Sequence, residues 1–225
     1  MTAGLTETGL GAPRTPANPD LAGRLGVPAL QVPGLVRAFD AASVPQTTPP
    51  GCRAAIGYLG LAPDPDPEAA HAWTLEEWLR FSHLRQLPTW LAQLGLDPVQ
   101  NGKMAADAAR RLGWRTFAQH RRAILLDMET WDDVAWVNAF ADQVWEGGYC
   151  TWLYGSEAFV LADPARGGYI VADWDGLPDL PPGHSIIGHQ YAADVPFDGT
   201  TVDYTVIDSA FVDHLGIGPR QLVAA

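Results

Sequence analysis

Lysine is almost missing from this chain: Lys103 stands alone against thirteen arginines. Basic residues total 14 and acidic residues 26, a formal net charge of −12. A surface of that sign repels a phosphate backbone, which argues against nucleic acid as a partner. Cysteine is scarce too. Cys52 sits just before the second strand-like run and Cys150 at the start of the fifth, and such positions lie far apart around a barrel rim, so no disulfide is expected. No stretch of 18 apolar residues exists, so no membrane-spanning helix is expected. The opening Met-Thr-Ala-Gly-Leu-Thr-Glu lacks a basic and then an apolar region, and no secretory signal peptide is expected either. The glycine patterns that cradle nucleotide phosphates are missing, as are H-E-x-x-H and G-x-S-x-G. His184 and His189 are five apart across a strand start and cannot share a metal without a bend. No metal and no cofactor is expected.

What the chain does have is apolar bulk and tryptophan. Apolar residues make up 47% of 225 positions, enough for a sizeable core, and the length is close to the ~250 of a (β/α)8 barrel. Nine tryptophans are many; most are expected to fill the core, and some to stack on sugar rings. Residues 1–34 are rich in Gly, Pro, Ala and Thr with no periodicity, and read as an extended N-terminal arm. A partner chain is expected to hold that arm.

From residue 35 to 225 the reading is one barrel domain. Eight short apolar runs have strand length: 36–40, 54–59, 88–92, 123–129, 150–154, 169–174, 185–191 and 202–207. Most are apolar throughout, as strands covered on both faces are. Helical patterns separate several of them. Thr74 can cap one helix, Pro98 to Leu112 carries Met104, Ala108 and Leu112 along one side, and Asp132 or Asp133 can start a third that stops at Gly147-Gly148. Ser156–Leu161 and Ser209–Leu215 read as short helices. Alternating strands and helices imply a parallel sheet, so the expected fold is an α/β (β/α)8 TIM barrel with some helices missing or shortened. A doubly wound open sheet is the alternative.

Barrel enzymes keep their chemistry where strands end. Residues 123–129, Ala-Ile-Leu-Leu-Asp-Met-Glu, end in two acids two apart. Residues i and i+2 of a strand share a face, so Asp127 and Glu129 should project together, and two adjacent acids favour retention of one proton. A pair of that kind suits acid/base work on a glycosidic bond. Other strand ends offer Asp40, Tyr58, Gln93, Tyr154, Asp173-Trp174-Asp175 and Gln190-Tyr191, and the eighth run brings Asp203 near its start and Asp208 at its end. Tyr58, Trp90, Tyr154, Trp174, Gln190 and Tyr191 are the candidate substrate-binding residues. The set is acidic and aromatic with almost no cation, which fits a neutral polyhydroxylated substrate better than a phosphate.

Phe-Asp-Ala-Ala-Ser at 39–43, Leu-Asp-Met-Glu at 126–129, Tyr154-Gly155-Ser156 and His189-Gln190-Tyr191 with Asp203 form an ordered set over residues 36–215. It resembles the family 25 glycoside hydrolases, which are bacterial and phage muramidases. It resembles equally the related glycoside-hydrolase-like barrel domains of the DUF1906 type. Val44-Pro45-Gln46 and His189 depart from the muramidase pattern. The resemblance implies Glu129 as general acid and Asp127 as stabiliser of the developing positive charge or helper of the substrate's N-acetyl group. Asp40 and Asp203 would position the sugar, and Tyr154, Gln190 and Trp174 would line the groove. The expected partner is then a peptidoglycan strand, and the expected protein a phage lysin or a part of a tail or injection machine, made in the cytoplasm and delivered to the wall. The alternative is a catalytically inactive glycan-binding or structural barrel, anchored in a larger assembly by its arm.

Overall fold

The structure is a computed structural model that describes residues 32–60, 72–92, 96–114, 121–128, 133–156, 167–182 and 185–217. The expected arm lies outside the described residues apart from Val32, Pro33 and Gly34, which turn into the first strand.

Eight strands close into one barrel. They are β1 (Leu35–Asp40), β2 (Ala54–Tyr58), β3 (Arg85–Leu91), β4 (Ala123–Asp127), β5 (Cys150–Ser156), β6 (Tyr169–Ala172), β7 (Ile186–Phe197) and β8 (Thr200–Asp208). Neighbours pair in the order β2-β1-β8-β7-β6-β5-β4-β3, and a β2–β3 pairing closes the ring. This is an α/β barrel, not an open sheet, and in the fully described β1–β2 and β7–β8 connections no helix is present. One strand departs from the all-parallel expectation: β8 runs antiparallel to both β7 and β1. The reason is local. Asp198 and Gly199 both have positive φ, 51° and 81°, the two-residue hairpin turn that reverses a chain at once and leaves no room for a crossover helix. A two-residue β9 (Gly216–Ile217) pairs antiparallel with the start of β3, below the part of β3 that meets β4.

Among the described residues, three α-helices pack outside. Helix α1 (Leu75–Arg80) starts at Thr74, whose hydroxyl accepts from the Glu77 amide while the Glu77 carboxylate accepts from the Thr74 amide. These reciprocal bonds satisfy two orphan donors of the first turn. Helix α2 (Pro98–Arg111) is capped by Asp97, and α3 (Val134–Glu146) by Asp133 and stopped at Gly147-Gly148, as the pattern predicts. Ser209–His214 forms a 3₁₀ helix. Ser156 is the last residue of β5 rather than the start of a helix, and residues 157–161 lie outside the described residues.

Strand alternation sorts the buried side chains into two cores. Val36, Ala38, Ala54, Ile56, Leu87, Ala123, Leu125, Trp152, Ile170 and Ile207 fill the barrel. Phe39, Ala55, Ile124, Leu126 and Val171 point outward to the helices and loops. Trp73, Trp78, Phe81 and Trp114 stack in that outer core, with Trp78 edge-on to Trp114 at 4.5 Å. Trp73, Trp78, Trp90, Trp114, Trp136 and Trp152 are all buried, so core filling accounts for most of the tryptophan. Cys52 and Cys150 are free thiols, and burial pushes them up to about 12 and about 11.

Candidate active site

Above the apolar filling, the inward positions turn polar at the C-terminal ends of the parallel strands. Asp40 is the last residue of β1, Tyr58 of β2 and Asp127 of β4. Tyr154 lies opposite Asp127 on β5, and Gln190 lies opposite Ala172 on β7. Asp203 reaches the same rim because β8 is reversed. Its early position stands directly across from Asp40 in the β1–β8 register, while Asp208, at the far end, caps the 3₁₀ helix. A parallel β8 would have exchanged the two.

Hydrogen bonds tie these residues into two groups. The Tyr58 hydroxyl donates to Asp127 Oδ2 across 3.0 Å. Burial raises the Tyr58 phenol well above its ordinary range, and the negative charges of Asp127 and Asp40 raise it further. The phenol therefore stays protonated and serves Asp127 as a constant donor. In the second group Gln190 Oε1 accepts from the Tyr154 hydroxyl at 2.6 Å and from Trp174 Nε1 at 2.7 Å. Two donors on one oxygen fix the amide's orientation. Its NH₂ end then donates to Asp203 Oδ2 at 3.3 Å, while the Asp194 amide donates to Asp203 Oδ1 at 2.7 Å.

Asp40, Asp127 and Asp203 are thus held at one mouth with Tyr58, Tyr154, Gln190 and Trp174. Asp127 and Gln190 are buried, whereas the Trp174 indole is exposed at the edge. Among the described residues, no lysine or arginine belongs to the group. The arrangement offers carboxylates to stabilise positive charge, hydroxyl and amide groups to bind sugar hydroxyls, and an indole face for a ring.

Two predicted substrate-binding residues do not join it. Trp90 takes the opposite parity to Thr89 and Leu91; it is buried in the outer core, and its Nε1 donates to Asn101 Oδ1 of α2 at 3.1 Å. Tyr191, next to Gln190, also faces out, stacked on Tyr204 at 6.3 Å. Burial pushes its phenol up to about 12. In both cases the pleat that sends one neighbour inward sends this one outward. Glu129, the predicted general acid, lies outside the described residues, as does Gln93. Met128, between Asp127 and Glu129, packs in the outer core, as alternation requires.

The β6–β7 loop brings together a set the sequence reading missed. Asp173, Asp175 and His189 each offer a donor atom within 4.8 Å of the others. His184, the histidine nearest to His189 in sequence, lies outside the described residues.

No family model matches the chain, and no curated protein matches it in sequence. Solved structures do. The chain is similar to an uncharacterized Bacillus stearothermophilus protein, with 18% identity and a TM-score of 0.57 over 80% of this chain and 100% of that one. It is also similar to the catalytic domain of the endolysin ply40 from Listeria monocytogenes bacteriophage P40, with 15% identity and a TM-score of 0.57 over 81% and 97%. A third similarity is to the modular autolysin LytC of Streptococcus pneumoniae, with 15% identity and a TM-score of 0.54 over 79% of this chain and 47% of that one. At such identities the likeness is one of fold.

Proposed function

We propose that this chain is a peptidoglycan glycoside hydrolase of the muramidase kind, related to the family 25 and DUF1906-type barrels. The observation that carries the reading is the convergence of Asp40, Asp127 and Asp203 with Tyr58, Tyr154, Gln190 and Trp174 at one barrel mouth. Similarity of fold to an endolysin catalytic domain and to an autolysin that has been solved with a synthetic peptidoglycan ligand supports the substrate class.

In this reading Glu129 protonates the leaving oxygen of the glycosidic bond. Asp127, steadied by the Tyr58 hydroxyl, faces the positive charge that develops at the anomeric carbon or orients the substrate's own acetamido group. Asp40 and Asp203 hold sugar hydroxyls, and Trp174 offers its exposed indole to a ring. Delivery to the wall by a phage or an injection machine, with residues 1–34 bound to an assembly partner, belongs to the same proposal.

The test is turbidity loss of purified bacterial walls, with new reducing ends measured in parallel, for the wild type and for Glu129→Gln. Clearing with release of reducing ends that disappears in the variant is the expected result. Wild-type protein that binds walls without clearing any of them would replace the enzyme with a glycan-binding barrel.

A further inference from the structure

His189 and Gln190 are adjacent on β7 and face opposite ways. Gln190 points into the barrel mouth, where Trp174 donates to it at 2.7 Å. His189 points to the outer side and is fully buried. The loop after β6 straddles the strand and meets both. Its backbone is fastened to β7 by the amides of Asp173 and Trp174, both 3.3 Å from the Gln190 carbonyl, and by the Gly176 amide, 2.9 Å from the Tyr191 carbonyl. Trp174 sits at a φ of 54°, a left-handed conformation that a tryptophan rarely adopts. That twist sends its indole over the mouth while Asp173 and Asp175, on either side, turn toward His189.

The imidazole is prepared for a ligand. Its Nδ1 lies 2.9 Å from the Asp179 carbonyl oxygen. A carbonyl can only accept, so Nδ1 carries the hydrogen, and Nε2 is the ring nitrogen left to serve as a metal ligand. Nε2 is buried and has no hydrogen-bond partner. Asp175 Oδ1 lies 3.8 Å from it, too far for a hydrogen bond but close to the separation of two ligands across one zinc-sized ion. That same Oδ1 accepts from the Leu177 amide at 2.8 Å, which holds the carboxylate in place. A histidine whose far N–H is anchored on a backbone carbonyl, facing a carboxylate that is itself hydrogen-bonded, is the second-layer pattern of metal-ligating side chains. Asp173 completes the set within 4.8 Å and, being exposed, can close the remaining distance by a side-chain rotation.

We propose that Asp173, Asp175 and His189 bind one zinc-class divalent cation, which fastens the β6–β7 loop and so sets Trp174 against Gln190 at the barrel mouth. One nitrogen and two carboxylate oxygens suit zinc better than magnesium or calcium, which take oxygen alone, and a water would fill the fourth position. Two negative charges of a strongly acidic chain would be neutralised. The inference does not depend on what the mouth binds.

The experiment uses the full chain without a histidine tag, stripped with a chelator and titrated with zinc chloride by calorimetry. Melting temperature and near-ultraviolet circular dichroism are followed alongside. One zinc per chain is expected, with a melting temperature that rises with zinc and an affinity at least about tenfold weaker in Asp173→Asn and in Asp175→Asn. Both variants alter exposed side chains, so a loss of folding does not confuse the result. Zinc should also change the fluorescence of the wild type and not that of Trp174→Phe. No uptake of zinc, or an affinity that neither Asp173→Asn nor Asp175→Asn changes, overturns the site. Uptake at these residues with the same fluorescence change in Trp174→Phe overturns the link to the indole.

Discussion

Tyr58 and Asp127 end two strands that are not neighbours, and the 3.0 Å bond between them passes over β3 inside the barrel. It is made possible because both residues occupy inward positions at the C-terminal ends of alternate strands, where barrel side chains share a layer. Tyr58→Phe keeps the ring and removes the donor. A buried carboxylate oxygen then loses a partner, at a cost of about 1–3 kcal/mol. Urea unfolding should show that loss with an unchanged m-value, and wall clearing should fall as Asp127 loses its restraint. A Tyr58→Phe variant as stable and as active as the wild type would remove Tyr58 from the account.

Gln190 joins Tyr154, Trp174 and Asp203 through a single amide. Gln190→Leu has nearly the same volume but leaves a buried phenol and a carboxylate without that amide. We expect a stability loss of a few kcal/mol, about 1–3 for each polar group left short of a partner, and wall clearing lowered at least tenfold. Trp174→Ala removes one exposed arm of the same cluster. It should weaken binding to glycan strands while costing little stability, which a binding isotherm and a melting curve together would show.

Trp90 gives the opposite signature. Its indole serves α2, not the mouth, through the bond to Asn101. Trp90→Phe should cost stability, about 1–3 kcal/mol for the lost buried hydrogen bond, with the affinity for glycan unchanged. A raised KM without a stability loss would return Trp90 to the groove.

The contrast between Trp90 and Trp174 marks how much the sequence made legible. The eight runs could be found because strands covered on both faces are apolar without interruption, and Leu125, Leu126 and Val171 read that way from sequence alone. Asp40 and Asp127 could be proposed because acids at the C-terminal ends of such runs are conspicuous, whereas Asp203, near the start of its run, came only from the family resemblance. Which parity faces inward depends on barrel register, a property of all eight strands together, so Trp90 and Tyr191 could not be sorted from their own neighbourhoods. The reversal of β8 did have a local sign, since Asp198-Gly199 between alternating residues is a hairpin signal. His189 had none. Its partners lie on the loop after β6, which reaches it only once it has folded back onto β7.

Gly102 lies on α2 where α3 crosses it. In an exposed helix Gly→Ala stabilises by roughly 1 kcal/mol. Here an added methyl would stand 2.6 Å from the Phe140 carbonyl oxygen and 2.7 Å from Gln143 Cβ. The first of these is backbone and cannot swing away, so overpacking outweighs propensity, at roughly 1–3 kcal/mol. Gly102→Ala should lower the urea midpoint. A midpoint that rises would mean that the two helices can separate more easily than their packing implies.

Alkaline pH should unfold this protein earlier than its size suggests. Burial raises Cys52 from an ordinary 9.0 to about 12 and Tyr191 from 10.0 to about 12, and it raises Tyr58 well above 10.0. Below about pH 9 these groups keep their protons in both states, and their contribution to stability is complete. Above it the unfolded chain sheds the thiol proton first and the phenol protons next, while the folded chain retains them. The unfolded state then binds fewer protons, so stability falls as pH rises, by up to about 1.4 kcal/mol per pH unit for each group inside its window. Urea midpoints taken at intervals from pH 8 to pH 11 should trace that fall. Cys52→Ala should flatten it from about pH 9 upward, and Tyr58→Phe only above about pH 10, because the two ordinary values differ. Curves for both variants that run parallel to the wild type would show that these groups titrate alike in the folded and unfolded chain, and that their burial carries no linkage.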